Sequence, residues 1–155
     1  MSVRTLLALV LLLTTSALFV TFYDSPSTTP VQSNEINPTR TISVDGVPVR
    51  IQVVDSEATR QRGLSGIPDL APDQGMLFVF EEDGMYSFWM HDMLFSIDIL
   101  WLAADGRVVH IEKDLSPESY PQSFTSHSPA RYVLEVPAGF SDKHGIIIGS
   151  SASLE

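Results

Sequence analysis

Apolar and polar residues follow two different patterns along this chain. The first is the unbroken apolar run TLLALVLLLTTSALFVTFY, from Thr5 to Tyr23. Beyond residue 40, apolar residues come in short runs separated by turn residues such as Asp-Gly. Long apolar runs are typical of membrane helices, whereas short alternating runs predict β-strands. Between the two regions, residues 24–39 are rich in Pro, Ser, Thr and Asn, which predicts a disordered linker. We therefore expect a hydrophobic segment (1–23), this linker (24–39) and a β domain (40–155).

The hydrophobic segment is long enough to enter a membrane. As a helix, Thr5–Tyr23 would span about 28 Å, close to the hydrocarbon thickness of a bilayer. Arg4 precedes the segment and Asp24 follows it, so the positive-inside rule places the remainder outside the cytoplasm. We expect a signal anchor that tethers the domain to the membrane. The alternative is a signal peptide cleaved after Thr15-Ser16-Ala17, which would release a secreted protein.

Hairpin signals organise the β domain. TISVDGVPVRIQVVD has β-branched runs on both sides of Asp45-Gly46, a turn pair that favours positive φ at both positions. GMLFVF and MYSFWM flank EEDG, and IDILWL and RVVHIEK flank AADG, which predicts two more hairpins. A further strand is expected at ARYVLEV. Pro48 has no N–H, so part of its strand should lie at an edge or a bulge.

One short helix and one long loop interrupt these strands. Asp55 or Ser56 can cap a helix of about two turns that ends at Gly63. Residues 116–129 contain no obvious secondary structure, and such loops are often lids or binding loops. The alternative is a flexible surface insertion without a binding role. Short antiparallel strands with one or two short helices predict an all-β or β-dominated α+β fold. We expect a small, partly open barrel or sandwich, preceded by the N-terminal hydrophobic helix.

Composition and charge narrow the classes of function. The chain has 155 residues, no Cys and a net charge of −10. The absence of Cys excludes disulfides, thiol nucleophiles and thiolate zinc sites. The segment from Arg40 onward keeps eight basic and seventeen acidic residues, a net charge of −9, which repels the phosphates of nucleic acids. We therefore expect no nucleic-acid partner.

Several ordered motifs resemble one protein family. In chain order they are RGL (Arg62 to Leu64), GMLFVF (Gly75 to Phe80), FWM (Phe88 to Met90), Ile97-Asp98, PARYVLE (Pro129 to Glu135) and GIIIG (Gly145 to Gly149). This series resembles the DUF192 family, a domain of unknown function, over nearly all of 40–149. The resemblance implies a compact β-rich domain, frequently found behind a signal or anchor, and implies no particular activity. The chain departs from the family pattern at His91-Asp92 and at Ser150.

Asp98 is the most unusual residue of the β domain. In a strand, Ile97, Ile99 and Trp101 would face one side and Asp98 the other. Both faces are mostly apolar, which predicts an interior strand.

A buried carboxylate needs compensation, either from several backbone N–H groups or from an arginine, with Arg62, Arg107 and Arg131 as the candidates. A structural role is the main interpretation of Asp98, and a ligand-binding or catalytic carboxylate is the alternative.

Further candidates lie near the predicted loop and strands. Arg62 closes the short helix, where it would interact with the helix terminus or form a fork for an anionic ligand. We include Arg131, Glu135 and the loop residue Tyr120 with Asp98 and Arg62 as candidate ligand-binding residues. Phe88, Trp89, Met90 and Trp101 could stack on a sugar or another ring, but aromatic residues at this density in strands are more typical of core packing.

Metal and cofactor signals are weak. His110 and Glu112 would share one face of a strand and, with Glu135 or another His, could hold an ion. The same spacing also arises on an ordinary solvated face, and the four His are scattered. We therefore expect no metal and no cofactor, and no glycine motif for a nucleotide is present.

Three classes of function remain open. The first is a membrane-tethered extracytoplasmic module that binds a small molecule or an envelope protein. The second is a hydrolase that uses Asp98 or Glu135 as an acid/base group. The third is a purely structural interaction domain with an exposed β edge.

Overall fold

The computed structural model describes residues 35–154. The predicted hydrophobic segment and almost all of the predicted linker lie outside the described residues. Within 35–154, no helix combines the length and the apolar character that a membrane crossing requires.

The described residues form nine strands, two α-helices and one short 3₁₀ helix at Pro117–Ser119. The helices are α1 (Glu57–Arg62) and α2 (Phe140–His144). The strands are β1 (Arg40–Val44), β2 (Val47–Val54), β3 (Gln74–Gly84), β4 (Ser87–Trp89), β5 (Ile97–Leu102), β6 (Val108–Leu115), β7 (Ser123–Thr125), β8 (Ala130–Pro137) and β9 (Ala152–Ser153).

Seven strands form one curled sheet with the order β6-β5-β8-β3-β2-β1-β9. An isolated bridge between Arg107 and Ser151 joins the two ends of this order, and the N–H of Val108 donates to the carbonyl of Ser150 at 2.8 Å. The sheet is therefore a half-barrel whose first and last strands meet at one end. Strands β4 and β7 form a separate two-stranded sheet. The β-dominated class and the barrel-like architecture are confirmed.

Two local predictions of hairpins are also confirmed. Strands β1 and β2 pair across Asp45 (φ 47°) and Gly46 (φ 80°), and β5 pairs with β6. Pro48 pairs with Ser43, but the pairing of β2 with β3 begins only at Arg50. Pro48 therefore lies where β2 has a partner on one side only, in agreement with its missing N–H.

Three expectations need correction. The sheet is not entirely antiparallel, because β2 and β3 are parallel and α1 lies in the connection between them. The EEDG segment is not a hairpin turn, because β3 continues through Gly84, which pairs with Ala130 of β8. Residues 116–129 are not without secondary structure, since they contain the 3₁₀ helix and β7, and β7 pairs with β4.

The apolar side chains form two clusters on opposite faces of the sheet. The inner core contains residues from all seven strands, so it fills the curl: Ile42, Val44, Val49, Ile51, Leu77, Leu100, Leu102, Val108, Leu134, Val136, Phe140, Ile146 and Ala152. The outer core lies on the other face and includes Met76, Phe78, Met90, Met93, Ile97, Ile99, Trp101 and Val133. All six residues of β5 are buried, which confirms that this strand is interior.

Candidate functional site

Glu135 is a buried acid on the outer-core face of β8. In the register of the sheet it lies opposite Met76 of β3 on one side and Ile99 of β5 on the other. Both neighbours are buried apolar residues. Glu135 itself is 5% exposed, so its carboxyl group lies among hydrocarbon side chains rather than among donors.

The carboxyl group of Glu135 has an unsatisfied atom. Its Oε2 is buried and has no hydrogen-bond partner among the described residues. Burial without a compensating partner disfavours the charged form, and this desolvation raises the pKa of Glu135 to about 8. Glu135 is therefore predominantly protonated at pH 7, and a protonated carboxyl group can both donate and accept a hydrogen bond.

Glu135 lines a cleft of about 380 Å³. Such a volume is within the range of small-molecule sites. The lining combines aromatic, charged and small polar side chains: Glu57, Arg60, Gln61, Arg62, Gly63, Leu64, Ser65, Phe78, Phe80, Tyr86, Ser87, Phe88, Trp89, His91, Met93 and Glu135.

Aromatic side chains build the walls of this cleft. Phe78 and Phe88 meet edge to face with their ring centroids 4.9 Å apart, and Phe80 stacks on Tyr86 at 3.5 Å. Arg60 lies 5.0 Å from the centroid of Phe80, within the range of a cation–π contact. These contacts fix most of the wall before any ligand arrives.

The chain reverses tightly after α1. Arg60 and Arg62, at the end of this helix, form the cationic rim of the cleft. Helix α1 is capped by Ser56, whose hydroxyl accepts from the N–H of Thr59 at 3.2 Å. Gly63 follows the helix with φ 49°, and a Cβ atom there would lie 3.3 Å from Cζ of Phe78. Glycine thus provides both the positive φ and the close approach to the wall. The Oγ of Ser65 then donates to the carbonyl of His91 at 2.9 Å, which joins two sides of the rim.

Asp98 lies on the opposite face and is fully compensated. Its Oδ2 accepts from the N–H of Ser141 at 2.8 Å, and its Oδ1 accepts from the N–H groups of Gly139 and Asp114 at 3.1 and 3.0 Å. Gly139 is the N-cap of α2 and has no side chain to cap it. The carboxylate of Asp98 takes that role from the neighbouring strand, so it attaches α2 to the sheet.

Comparison with known proteins identifies the domain. The family model of DUF192, described as an uncharacterised ACR, matches residues 40–154. The chain belongs to the DUF192 family. No curated protein matches it.

Two solved structures share the fold. One is a protein from Sinorhizobium meliloti 1021, provisionally described as a transcription regulator, which is 27% identical with a TM-score of 0.71 and covers 77% of this chain and 96% of its own. The other is a protein of unknown function from Novosphingobium aromaticivorans DSM 12444, which is 25% identical with a TM-score of 0.69. The match covers 73% of this chain and 83% of the Novosphingobium chain. Both likenesses support the half-barrel architecture of this DUF192 domain.

The structure brings together only two of the five candidate ligand-binding residues. Arg62 and Glu135 line the cleft, whereas Asp98, Arg131 and Tyr120 do not. Tyr120 lies beside the rim, since its ring centroid is 6.0 Å from that of Trp89. A ligand-binding role for these five residues stays a prediction, but only Arg62 and Glu135 share a cavity.

The expected arginine partners lie elsewhere. Arg131 pairs with Asp83 at 2.8 Å, and Arg107 lies 3.9 Å from Asp105. The compensation of Asp98 comes from backbone N–H groups, the other possibility that the sequence left open. Asp98 and Glu135 also face opposite sides of the sheet, so the two acids do not converge on one substrate.

Four residues of the cleft wall were not predicted from sequence. Arg60, Phe78, Phe80 and Tyr86 received no functional prediction. The alternation of GMLFVF contains the missed signal, because Met76, Phe78 and Phe80 share one face of β3 and contribute to the outer core.

The candidate metal ligands His110 and Glu112 contact each other. The Nε2 of His110 lies 3.1 Å from an oxygen of Glu112, so this pair forms a local contact on β6. No group of three or more His, Asp or Glu side chains within residues 35–154 is arranged to hold an ion.

Proposed function

We propose that this DUF192 domain binds a small molecule in the cleft in front of Glu135. The observation that carries the proposal is the unpaired, buried Oε2 of Glu135 in a cleft with an aromatic wall. Leaving a buried polar atom unpaired costs about 1–3 kcal/mol. A ligand that supplies the missing partner would recover this free energy.

The chemistry of the cleft defines what such a ligand offers. A protonated Glu135 donates its O–H to a ligand oxygen or nitrogen and accepts from a ligand N–H or O–H. Arg62 adds a charged donor to the lining, and the aromatic side chains of the walls add apolar surface. A ligand with an apolar face and polar substituents fits this lining.

The second part of the proposal is that the β domain lies outside the cytoplasm, attached to the membrane. The uncharged run from Thr5 to Tyr23, with Arg4 before it and Asp24 after it, supports an anchored domain on the outer side of the membrane. The domain would then bind small molecules that are present in the envelope or in the medium.

Two other functions have less support. A raised pKa suits Glu135 as a general acid, but the other carboxylate of the lining is Glu57, which is exposed on α1. The description of the Sinorhizobium protein as a transcription regulator does not extend to this chain, because a domain with a net charge of −9 repels nucleic acid.

Native mass spectrometry of the full-length protein extracted from its membrane tests the proposal. Glu135→Gln retains a donor and an acceptor in the shape of the neutral acid, whereas Glu135→Leu removes both. We expect a bound small molecule on the wild type and on Glu135→Gln, and its loss from Glu135→Leu. A wild-type mass that matches the bare chain, or an adduct retained equally by Glu135→Leu, would contradict the proposal. The intact mass also shows whether residues 1–23 are retained.

A further inference from the structure

Three exposed rings form a cluster beside the cleft. Trp89 on β4, His91 after it and Tyr120 after the 3₁₀ helix lie with ring centroids 5.8 Å (Trp89 to His91), 6.0 Å (Trp89 to Tyr120) and 5.1 Å (His91 to Tyr120) apart. Trp89 is 57% exposed and Tyr120 is 45% exposed. We call these three residues the aromatic platform.

The platform is continuous with the cleft. Trp89 and His91 belong to the cleft lining, and Tyr120 extends the same surface outward. A ligand that fills the cleft would therefore lie next to Trp89 and His91.

Hydrogen bonds stabilise the chain around Trp89 and His91, two of the three platform residues. The hydroxyl groups of Ser87 and Thr125 are 2.6 Å apart across β4 and β7, and Trp89 pairs with Ser123 in the same small sheet. The carbonyl of His91 accepts from Ser65 at 2.9 Å. Exposed rings on a braced scaffold lose little conformational entropy on binding, which favours affinity.

We infer that the ligand of the cleft is a saccharide, with one pyranose ring near Glu135 and a further ring stacked on Trp89 and Tyr120. This inference rests on the proposed function of the same cleft. A pyranose has an apolar C–H face that packs on aromatic rings, and it has hydroxyl groups around its edge. Glu135, Arg62 and His91 contribute donors and acceptors to the lining, with which such hydroxyl groups can pair.

Other occupants fit less well. A lipid chain would leave the buried Oε2 of Glu135 without a partner, which is costly. A single-stranded nucleic acid could stack on the platform, but its phosphates would be repelled by the acidic domain. A neutral saccharide meets neither penalty.

Tryptophan fluorescence of the full-length protein provides the test. The chain has two Trp: Trp89 is exposed, whereas Trp101 is fully buried and donates to the carbonyl of Tyr86 at 2.9 Å. Any detergent that keeps the full-length protein in solution must not be a glycoside, because its sugar could compete with the probes. The probes are tetrasaccharides of β-1,4-linked glucose, β-1,4-linked N-acetylglucosamine, α-1,4-linked glucose and β-1,4-linked mannose. We expect a saturable emission change with at least one probe, and no change in Trp89→Phe, which keeps only Trp101.

Calorimetric titration with the responding probe locates the sugar. Trp89→Ala and Tyr120→Ala should each weaken binding about tenfold, as expected for the loss of an aromatic stacking surface. Ile147→Ala is the matched control, because Ile147 is 65% exposed and lies outside the cleft lining; it should bind as the wild type does.

Two results would overturn the inference. One is the absence of saturable binding for all four probes. The other is unchanged affinity in both Trp89→Ala and Tyr120→Ala. If native mass spectrometry shows a non-saccharide molecule that depends on Glu135, the saccharide assignment fails and the proposed binding function stands.

Discussion

Two buried acids on adjacent strands of this domain have opposite surroundings. Asp98 lies beside Val136 and Glu135 lies beside Ile99 in the same β5–β8 ladder. Asp98 accepts three backbone hydrogen bonds, whereas Oε2 of Glu135 has no partner among the described residues. Burial is nearly the same in the two cases. What distinguishes a structural acid from a candidate binding acid here is therefore the number of donors around it.

The faces of the sheet explain this difference. Asp98 points toward the side where α2 begins, and helix N-termini have free N–H groups. Glu135 points toward the outer core, where its cross-strand neighbours Met76 and Ile99 have no polar atoms to offer except the weakly accepting Met sulfur. One acid completes the fold, and the other lines the cleft with a carboxyl oxygen that has no partner among the described residues.

Removing the carboxylate of Asp98 should have the largest effect on stability. Asp98→Ala leaves the N–H groups of Asp114, Gly139 and Ser141 without their acceptor, and we expect a loss of about 3–5 kcal/mol in the free energy of unfolding. Asp98→Asn keeps one acceptor oxygen and should lose less. Urea denaturation measures both variants. A loss below about 1 kcal/mol in Asp98→Ala would show that the three hydrogen bonds do not hold α2.

Removing the carboxyl group of Glu135 should raise the free energy of unfolding, the opposite of the effect at Asp98. Glu135→Met replaces an unpaired acid with an apolar chain of similar shape and should stabilise the fold by about 1–3 kcal/mol at pH 7. The same denaturation measurement applies. Glu112→Met is the matched control, because Glu112 lies opposite the other side of Ile99 and already contacts His110; no comparable gain is expected there. Destabilisation by Glu135→Met would mean that the carboxyl group has a partner.

The pH dependence of stability should follow from the raised pKa of Glu135. Its ordinary value is 4.5 and its value in the folded protein is about 8. Between these values the unfolded chain releases the proton and the folded chain keeps it, so the contribution of Glu135 to stability falls as pH rises, by at most about 1.4 kcal/mol per pH unit. Below this window the contribution is fully present, and above it no further loss occurs.

The difference between wild type and Glu135→Gln isolates this effect. Unfolding free energies of both proteins, measured across the window from pH 4.5 to about 8, should diverge steadily in favour of Glu135→Gln. If the difference between the two unfolding free energies stayed constant across this pH window, Glu135 would have an ordinary pKa.

The smallest expected effect is the coupling between the two acids. They have no common partner and face opposite sides of the sheet, so Asp98→Asn and Glu135→Gln should be additive within about 0.5 kcal/mol. A double-mutant cycle by urea denaturation measures the coupling. A larger coupling would show that the two faces do not respond independently.

Local signals predicted much of this fold. The Asp45-Gly46 turn, the Ser56 cap of α1 and the interior character of β5 all depend on neighbours in sequence, and all three are confirmed. The parallel pairing of β2 with β3 and the position of β8 between β5 and β3 are non-local. No turn signal contains this information, which is why EEDG resembles a hairpin turn in the sequence although β3 continues through it.

The candidate site was less predictable for the same reason. Asp98 stood out in an apolar run, and the need for compensation follows from its own sequence neighbours. The isolation of Glu135 depends on Met76 and Ile99, which only the register of three strands brings beside it. The wall residues Phe78 and Phe80 became part of a cleft only because α1 and β4 lie across the outer face of β3.

Titration of the Glu135 carboxyl group is the most direct test of the account. The ¹³C resonance of its side-chain carboxyl carbon, assigned by its absence in Glu135→Gln, reports protonation in the folded protein. The account predicts a midpoint near the raised pKa of about 8 and a shift of that midpoint when a ligand occupies the cleft. A midpoint near the ordinary value of 4.5 would contradict it, since Glu135 would then be a solvated or paired carboxylate.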